Sequence, residues 1–375
     1  MIDRKILNVF YHGKEVGRLA LTRENLCAFE YDTNWISDGF SISPFKLPLK
    51  KGVFVAEREP FSGNFGVFDD SLPDGWGRLL VDRMLSKRRI NPASVSILKR
   101  LSIVGKSGRG ALEYYPENEL VKTFPSGNLT ELSEECGKIL AGVPSDNIDK
   151  IRELSGSSGG ARPKVLIDFK DENWIVKFRS SSDPKNIGLV EYEYSKIAKN
   201  AGIEMPETRL FDGKFFGVKR FDRKSSGEKI HMLSVCGLLN ASHRYPSLDY
   251  IDIILKATYE LTRDYREVEK LFRIMCFNVI GHNKDDHSKN FSFLYDAGRW
   301  KLSPAYDLVP SEGLFGEHAT MVAGNGKNPN ESDILKVAEK IGLKKSQAKD
   351  IYMEVKQAFE ESDIIHKIKT NEDVI

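Results

Sequence analysis

Apolar and polar residues alternate along the first part of the chain in a way that predicts β-strands. The alternation covers Leu7–Tyr11 and Val16–Leu21, and the glycine-containing segment His12–Glu15 between them is typical of a hairpin turn. Cys27–Tyr31 repeats the pattern and predicts a further strand. Apolar residues at helical spacing first occur over Arg78–Arg88. The chain is therefore expected to begin with a β-rich module.

The pattern changes from strands to helices through the middle and the end of the chain. Lys164–Phe169 and Trp174–Phe178 alternate like two strands around a turn at Asp171 and Glu172, and Gly188–Asn200 has the spacing of a helix. Helical spacing then dominates Leu248–Arg263 and Glu267–Ile280. This order predicts a small mixed lobe followed by a mostly helical lobe.

A polar segment with proline and glycine, Pro116–Gly127, marks the clearest candidate boundary between these parts. We divide the chain into a β-rich module at residues 1–120, a small lobe at 121–225 and a helical lobe at 226–375. The last of these ends in the charged, helically spaced segment Ser332–Lys369. The order of elements favours the α+β class.

Composition narrows the functional classes. Of the 375 residues, 40% are hydrophobic and 29% are charged, which is enough apolar material for folded cores and excludes bulk disorder. The 56 basic and 54 acidic residues nearly cancel, so no global positive field favours autonomous binding of nucleic acid. No apolar run approaches the ~20 residues of a membrane span. The four cysteines are scattered without a CxxC pair, which favours a cytoplasmic protein without a disulfide framework.

The segment Gly281–Phe293 has the richest chemistry, because histidine, asparagine and charged residues crowd into it between apolar neighbours. Phosphoryl transfer requires an acid that orients the attacking hydroxyl, an asparagine that binds metal and a second, metal-binding aspartate. Asp285 and Asn290 have the five-residue separation of the corresponding pair in protein kinases, and Asp307 follows in the required order. The pattern therefore predicts a phosphoryl-transfer site.

Two other interpretations of this segment stay open on sequence grounds. It fits a solvated polar loop without any chemistry. It also contains four possible metal ligands of a hydrolase, although the HExxH spacing is absent. Those four residues are His282, Asp285, Asp286 and His287.

A run of small residues, Gly156–Lys164, is a candidate phosphate-binding loop. Small side chains allow backbone N–H groups to approach phosphate oxygens, although a flexible connector has the same composition. A lysine in the following strand favours the phosphate interpretation, because Lys177 lies on the face opposite to Trp174, Val176 and Phe178.

A lysine within an apolar strand requires a polar partner or access to solvent. In kinases such a lysine holds the nucleotide phosphates and pairs with a helix glutamate, for which Glu191 is the candidate here. A lysine at a sheet edge whose ammonium group reaches water is the alternative. Lys177 is therefore a candidate ATP-binding residue.

Taken together, these segments resemble the HipA family, the serine/threonine kinase components of bacterial toxin–antitoxin systems. The resemblance covers most of the chain, and its segments occur in the family's order. It rests on Leu72–Arg78, Ser102–Leu112, Gly159–Lys164, Asp285–Asn290 and Pro304–Leu308.

The resemblance implies a bilobal, protein-kinase-like α+β fold with an extra β-rich N-terminal subdomain. It implies that Asp285 is the catalytic aspartate, that Asn290 and Asp307 bind Mg²⁺, and that Lys177 holds the phosphates of ATP. Asp286 stands where some members have glycine. The other residues implied to contact the nucleotide are Gly159, Gly160, Ala161, Arg162, Pro163, Lys164, Lys219, Arg220, Phe221 and His287.

The family also implies regulation and partners. Ser157 matches the serine that members autophosphorylate, which ejects the loop and inactivates the kinase; the neighbouring Ser155 and Ser158 leave the modified serine ambiguous. The expected partner is a HipB-like helix-turn-helix antitoxin on a separate chain, with DNA contacted only through it and no membrane involved. The expected substrate is a component of translation, such as an aminoacyl-tRNA synthetase.

Two alternatives from other classes share part of this pattern. A small-molecule phosphotransferase of kinase-like fold uses the same trio of Asp285, Asn290 and Asp307, although the N-terminal module and the Ser157 loop argue against it. A non-catalytic corepressor of a DNA-binding antitoxin requires no chemistry, and the intact acids argue against it.

Overall fold

The computed structural model describes residues 6–117, 128–157, 159–246 and 248–362. The predicted boundary at residues 120 and 121 and the candidate serine Ser158 lie outside these ranges. The chain divides into two compact units. The first consists of Met1–Asp183, Gly217–Leu233 and Gly237–Asn240, and the second of Pro184–Phe216, Ser234–Cys236 and Ala241–Ile375.

The first unit contains most of the strands. They are β1 (Ile6–Tyr11), β2 (Lys14–Leu21), β3 (Cys27–Tyr31), β4 (Val53–Val55), β5 (Leu112–Tyr115), β6 (Lys164–Phe169) and β7 (Glu172–Lys177). Its helices are α1 (Thr33–Asp38), α2 (Gly66–Asp69), α3 (Gly75–Lys87), α4 (Ile97–Val104), α5 (Leu129–Leu140) and α6 (Ile148–Ser155), with a 3-10 turn at Pro92–Ser94.

The second unit contains most of the long helices. Its elements are α7 (Ile187–Asn200), β8 (Thr208–Phe211), β11 (Leu248–Asp249), a π-helical turn (Tyr250–Leu255), α9 (Lys256–Thr262), α10 (Tyr265–Ile280), a 3-10 turn (Ser288–Asn290), β12 (Ser292–Asp296), β13 (Arg299–Leu302), β14 (Thr320–Met321), α11 (Glu331–Lys340) and α12 (Lys345–Glu360). The division between the units falls within β9 (Phe215–Lys219), β10 (His231–Ser234) and α8 (Val235–Leu239).

The N-terminal sheet of the first unit has the order β4-β3-β2-β1-β5, and its neighbouring strands are antiparallel. The predicted hairpin is confirmed: Tyr11 pairs with Lys14, and His12 and Gly13 adopt the positive φ angles of a tight turn. Alternate residues such as Leu7, Val9 and Leu19 are fully buried on one face of the sheet.

The second sheet of the first unit positions the candidate nucleotide residues. β6 and β7 form an antiparallel hairpin whose turn lies at Lys170 and Asp171, both with positive φ. β7 also pairs with residues 217–219 of β9. As predicted, Trp174, Val176 and Phe178 are buried, because every second residue of a strand lies on one face.

Two predicted helices differ from the structure. The segment Leu248–Arg263 begins with the short strand β11 and a π-helical turn and becomes α-helical only at Lys256. The charged tail forms two helices instead of one, because Gly342, with a φ of 76°, ends α11. The predicted continuation to Lys369 lies outside the described residues beyond position 362.

The core of the second unit is built around α10. Phe277 of α10 stacks near Tyr194 of α7 and Phe359 of α12, with ring centroids 6.2 and 4.7 Å away. Gly281 follows α10 at this point, and an added Cβ there would lie 2.5 Å from the Phe359 ring. The segment after α10 is thus held against a packed aromatic core. Across the part of the chain that the structure describes, no helix is long and apolar enough to cross a membrane.

His231 of the first unit is a buried structural histidine, as the sequence suggests. Its Nε2 lies 2.9 Å from the Ile42 carbonyl, and burial lowers the pKa of His231 to about 4, although the Ile42 contact opposes this shift. An unfolded histidine has a pKa near ~6.5. The unfolded chain therefore binds a proton between pH 6.5 and pH 4 that the folded chain excludes, and stability falls as the pH falls through that window.

Replacing His231 with glutamine should flatten this pH dependence. Between pH 7 and pH 5 the His231 contribution to the free energy of unfolding amounts to about 2 kcal/mol, from 1.36 kcal/mol per pKa unit. Urea denaturation at both pH values measures it. The exposed His12, which makes a similar contact to the Lys229 carbonyl, supplies the control His12→Gln. An unchanged pH dependence in His231→Gln would contradict the assignment.

Candidate functional site

Two lysines lie side by side at the end of the β6–β7 hairpin in the first unit. Lys164 and Lys177 are direct cross-strand partners, and such partners share a face of the sheet. They lie on the face opposite to the buried Val165 and Val176. Like charges directly opposite each other destabilise a sheet. A pair of this kind is suited to bind an anion.

The run of small residues covers this same face. α6 ends at Ser155 and Gly156 has a φ of 56°. An added Cβ at Gly156 would lie 2.8 Å from Leu166 Cδ1, so the backbone passes close to the strand. Lys164 Nζ donates a hydrogen bond to the Gly159 carbonyl, and Lys164 is 6% exposed. The loop therefore packs over Leu166 and Lys164 instead of extending into solvent.

Two of the candidate autophosphorylation serines, Ser155 and Ser157, are buried in this arrangement. Ser157 Oγ accepts a hydrogen bond of 3.0 Å from the Arg109 backbone N–H and is 3% exposed. Ser155 Oγ accepts from the Trp76 indole N–H at 3.1 Å and donates to the Lys164 carbonyl at 2.7 Å. A phosphate donor can reach neither hydroxyl unless the loop moves.

Three predicted nucleotide residues have structural partners in the first unit. Arg162 makes a bidentate ion pair with Asp183 at 2.9–3.1 Å. Burial alone raises the pKa of Asp183, but Arg162 and Ser180 together hold it below its usual range. Lys219 pairs with Glu172 of β7, and Arg220 pairs with Asp222. Contact between these residues and a nucleotide stays a prediction.

In the second unit, the segment after α10 presents Asp285 to solvent. The Asp285 side chain is 62% exposed, and His287 Nε2 lies 3.9 Å from its Oδ1. Asn290 Nδ2 donates to the Asp285 carbonyl at 2.7 Å, so the 3-10 turn Ser288–Asn290 closes the loop on itself. Because the amide nitrogen is used in this bond, the Asn290 Oδ1 atom is directed elsewhere. This loop brings two of the predicted catalytic residues together.

Asp286 is buried and anchors the loop Asp285–Asn290, which we call the candidate catalytic loop. The sequence pattern did not predict this role. Asp286 is fully buried, and its Oδ2 accepts a hydrogen bond of 3.0 Å from the Tyr250 hydroxyl. The same oxygen lies 3.1 Å from His318 Nδ1, while Oδ1 accepts from the Thr320 N–H at 3.1 Å. The π-helical turn supplies Tyr250, which also accepts from Asn278 of α10. In the sequence, the signal for this role is that a second aspartate, Asp286, directly follows Asp285.

The second predicted acid, Asp307, lies in the left-handed region with a φ of 54°. Strained backbone of this kind occurs preferentially at functional sites. The buried Asn283 joins the two segments, because its Nδ2 lies 2.9 Å from Asn278 Oδ1 and 3.4 Å from the Asp307 carbonyl. Asp285, Asn290 and Asp307 are thus held in one hydrogen-bonded region of the second unit.

The hydrolase interpretation receives no support from the described residues. Among them, no group of three or more His, Cys, Asp or Glu side chains is arranged to hold a metal ion. The carboxylate of Asp286 is used in the buried network with Tyr250 and His318. The proposed pairing of Lys177 with Glu191 stays a prediction, since Lys177 ends β7 in the first unit and Glu191 is buried in α7 of the second.

Comparison with known proteins identifies the family. Residues 156–362 match the HipA-like C-terminal domain, and residues 7–115 match the HipA N-terminal domain. The chain belongs to the HipA family. The match to the C-terminal domain includes the lysine pair, the small-residue loop and the candidate catalytic loop. The match to the N-terminal domain includes the strands from β1 to β5.

Two sequence relatives are described as kinases. The chain is 27% identical over 340 residues to "Putative kinase Y4mE" of Sinorhizobium fredii, covering 81% of this chain and 77% of that protein. It is 27% identical over 237 residues to a "Putative kinase" of Haemophilus influenzae, covering 51% and 68%.

One solved structure shows the fold. It is HipA of Shewanella oneidensis in a complex with HipB and operator DNA, with a TM-score of 0.70 and 16% identity over 98% of this chain and 95% of that one. The predicted α+β, HipA-like fold class is confirmed by this likeness.

Proposed function

We propose that the chain is an ATP- and magnesium-dependent protein serine/threonine kinase that acts as a HipA-like toxin. The observation that carries this proposal is the cross-strand pairing of Lys164 with Lys177, with the small-residue loop packed on Lys164. Two lysines that share one face of a sheet place positive charge where a polyphosphate would be stabilised. The relatives described as kinases support the same class of activity.

Asp285 is the proposed residue that orients the attacking hydroxyl. Its exposed carboxylate is able to accept a hydrogen bond from a serine or threonine of another protein. It takes up the hydroxyl proton as the new oxygen–phosphorus bond forms and the bond from the γ-phosphorus to the bridging oxygen breaks, with ADP as the leaving group. Lys177 and Lys164 offset the charge of the nucleotide phosphates. Positioning and electrostatic stabilisation of this kind supply most of the catalysis in phosphoryl transfer.

Asn290 and Asp307 are the proposed ligands of Mg²⁺. Magnesium prefers oxygen donors and commonly binds one or two protein groups together with substrate phosphates. The donor set fits this preference, because Asn290 Nδ2 is used in the bond to Asp285 and its Oδ1 is the atom suited to a cation. When bound, the metal neutralises charge on the transferred phosphoryl group.

The proposed biological setting follows the family. A HipB-like helix-turn-helix antitoxin on a separate chain is the proposed partner, and DNA is contacted through it. The Shewanella HipA was solved with HipB and operator DNA, which supports this arrangement. The proposed substrate is a protein of the translation machinery, such as an aminoacyl-tRNA synthetase, and self-modification at Ser157 is proposed to inactivate the enzyme in the cytoplasm.

Intact-mass spectrometry after incubation with ATP and Mg²⁺ tests this function. Phosphatase-treated wild type should gain the mass of one phosphate, and Ser157→Ala should gain none or gain it at another serine. Ser86→Ala, at an exposed serine of α3, is the matched control and should behave like the wild type. If the wild type binds ATP but never gains mass, the proposed self-inactivation is wrong. If the wild type does not bind ATP, the proposed kinase activity is wrong.

A further inference from the structure

The turn before α3, Leu72–Trp76, is a sequence motif to which the proposed chemistry assigns no role. Asp74 occupies the N-cap position of α3, where an aspartate ordinarily accepts a hydrogen bond from the first turn of its own helix. Asp74 makes no such bond. Its Oδ1 instead accepts a short hydrogen bond from the backbone N–H of Gly160, which is 86 residues away in the sequence.

Gly160 completes the cap of α3 from the small-residue loop. The Gly160 carbonyl accepts a hydrogen bond of 3.0 Å from the Trp76 N–H, one of the amides that lack a partner within the helix. Both backbone groups of Gly160 are therefore used at the N-terminus of α3. In a capping box the helix supplies both bonds from its own residues. Here the loop residue supplies the donor for Asp74 and the acceptor for Trp76.

Glycine on both sides suits the close approach of the two segments. Gly75 has a φ of 40°, and an added Cβ there would lie 2.5 Å from the Gly160 carbonyl oxygen. On the loop side, Gly160 has a φ of 87°, a backbone conformation that residues with a side chain rarely adopt. The Trp76 indole adds a third bond, to Ser155 Oγ at the other end of the loop. The docked loop is thus held by several independent contacts.

We propose that Asp74 competes with the phosphates of the nucleotide for the Gly160 N–H and thereby holds the small-residue loop in a docked state. This inference rests on the proposed kinase function. Backbone N–H groups of such a loop are the donors that cradle phosphate oxygens, and one donor serves one strong anionic acceptor at a time. Asp74 is a carboxylate, and it already accepts the hydrogen bond that the Gly160 N–H could donate to a phosphate oxygen. Lys164, which donates to the Gly159 carbonyl, is likewise engaged within the docked loop.

The consequence is a coupling between the N-terminal module and nucleotide affinity. A nucleotide that takes the Gly160 N–H removes the cap of α3, and a contact that stabilises the capped helix weakens nucleotide binding by the same factor. Ser155 and Ser157 are buried by the same docked loop, so release of the cap is also expected to expose them. Asp74 acts through the loop and is a positioning residue.

Calorimetric titration with ATP and Mg²⁺ tests the competition. Asp74→Asn keeps the shape of the side chain but removes its charge, and the Kd for ATP should fall by about tenfold, the size of one charge-assisted hydrogen bond. In Gly75→Ala the added methyl group clashes with the Gly160 carbonyl and displaces the loop without a change in charge. The Kd of this variant for ATP should fall as well. Asp38→Asn removes an exposed charge at the end of α1 and should leave the Kd unchanged.

Hydrogen exchange in the absence of nucleotide provides a readout that does not depend on kinase activity. The Gly160 amide should exchange faster in Asp74→Asn and Gly75→Ala than in the wild type, with unfolding midpoints that show both variants to be folded. Folded variants whose Kd for ATP is unchanged or higher would overturn the competition while leaving the kinase proposal intact. A wild type that binds no ATP would overturn both, even if the exchange of Gly160 responds as expected.

Discussion

Asp285→Asn is expected to reduce the rate of phosphoryl transfer by about 10²–10⁴-fold while the protein still binds ATP. Asparagine keeps the size of the side chain, but its amide cannot take up the proton of the attacking hydroxyl. Because the Asp285 side chain is largely exposed, the substitution should not disturb packing. The bond from Asn290 goes to the Asp285 backbone carbonyl, so the loop geometry should persist in the variant.

The rate of phosphate incorporation, followed by intact mass, measures this effect. Calorimetric titration with ATP separates chemistry from binding, and the Kd of the variant should stay close to that of the wild type. Asp350→Asn, at an exposed position of α12, controls for the loss of one charge. An Asp285→Asn protein that transfers phosphate at the wild-type rate would exclude Asp285 as the catalytic aspartate and would favour another acid in the same loop.

Local patterns predicted the elements that local interactions decide. The hairpin around His12 and Gly13 follows from alternation and a glycine turn, and the buried face of β7 follows from the two-residue period of a strand. The pairing of Lys164 with Lys177 depends on the exact position of the turn. The predicted turn at Asp171 and Glu172 would pair Lys164 with Arg179, whereas Glu172 in fact pairs with Phe169, so the turn lies one residue earlier and Lys164 faces Lys177.

The contacts that hold the candidate site join residues distant in the sequence, and local patterns do not specify them. The predicted helix begins at Arg78, but α3 begins at Gly75, and the side chain of its N-cap residue Asp74 bonds to Gly160. Asp286 is a possible metal ligand by sequence, but its carboxylate is buried against Tyr250 and His318. Which of two neighbouring acids faces solvent depends on the packing of several elements. Sequence spacing therefore predicts the chemistry of the loop, but it does not specify the contacts that hold the loop in place.

The largest expected loss of stability is at Asp222, which lies between two arginines in the first unit. The side chains of Asp222, Arg220 and Arg223 are 7%, 8% and 9% exposed, and both arginines donate to the carboxylate at 2.7–2.9 Å. The Gly110 N–H donates to it at 2.9 Å. Burial by itself raises the pKa of Asp222, but Arg220, Arg223 and Gly110 together lower it well below its usual range.

Asp222→Asn should reduce the free energy of unfolding by about 3–5 kcal/mol, because it leaves two buried guanidinium groups without a counter-charge. Urea denaturation at pH 7 measures the change, and Asp168→Asn on the exposed side of β6 should cost less than ~0.5 kcal/mol. The wild-type carboxylate stabilises the fold above the unfolded pKa of ~3.9 and loses this contribution as the pH falls toward the folded value. The variant should therefore show a shallower loss of stability in acid.

Arg220 is also one of the residues predicted to contact the nucleotide, so the affinity for ATP should fall in Asp222→Asn. The double variant Asp222→Asn/Arg220→Gln should recover part of the stability, because it removes one of the two uncompensated charges. An Asp222→Asn protein as stable as the wild type would show that the arginines reach solvent when the carboxylate is lost, and the buried charge cluster would then not be what fixes this segment.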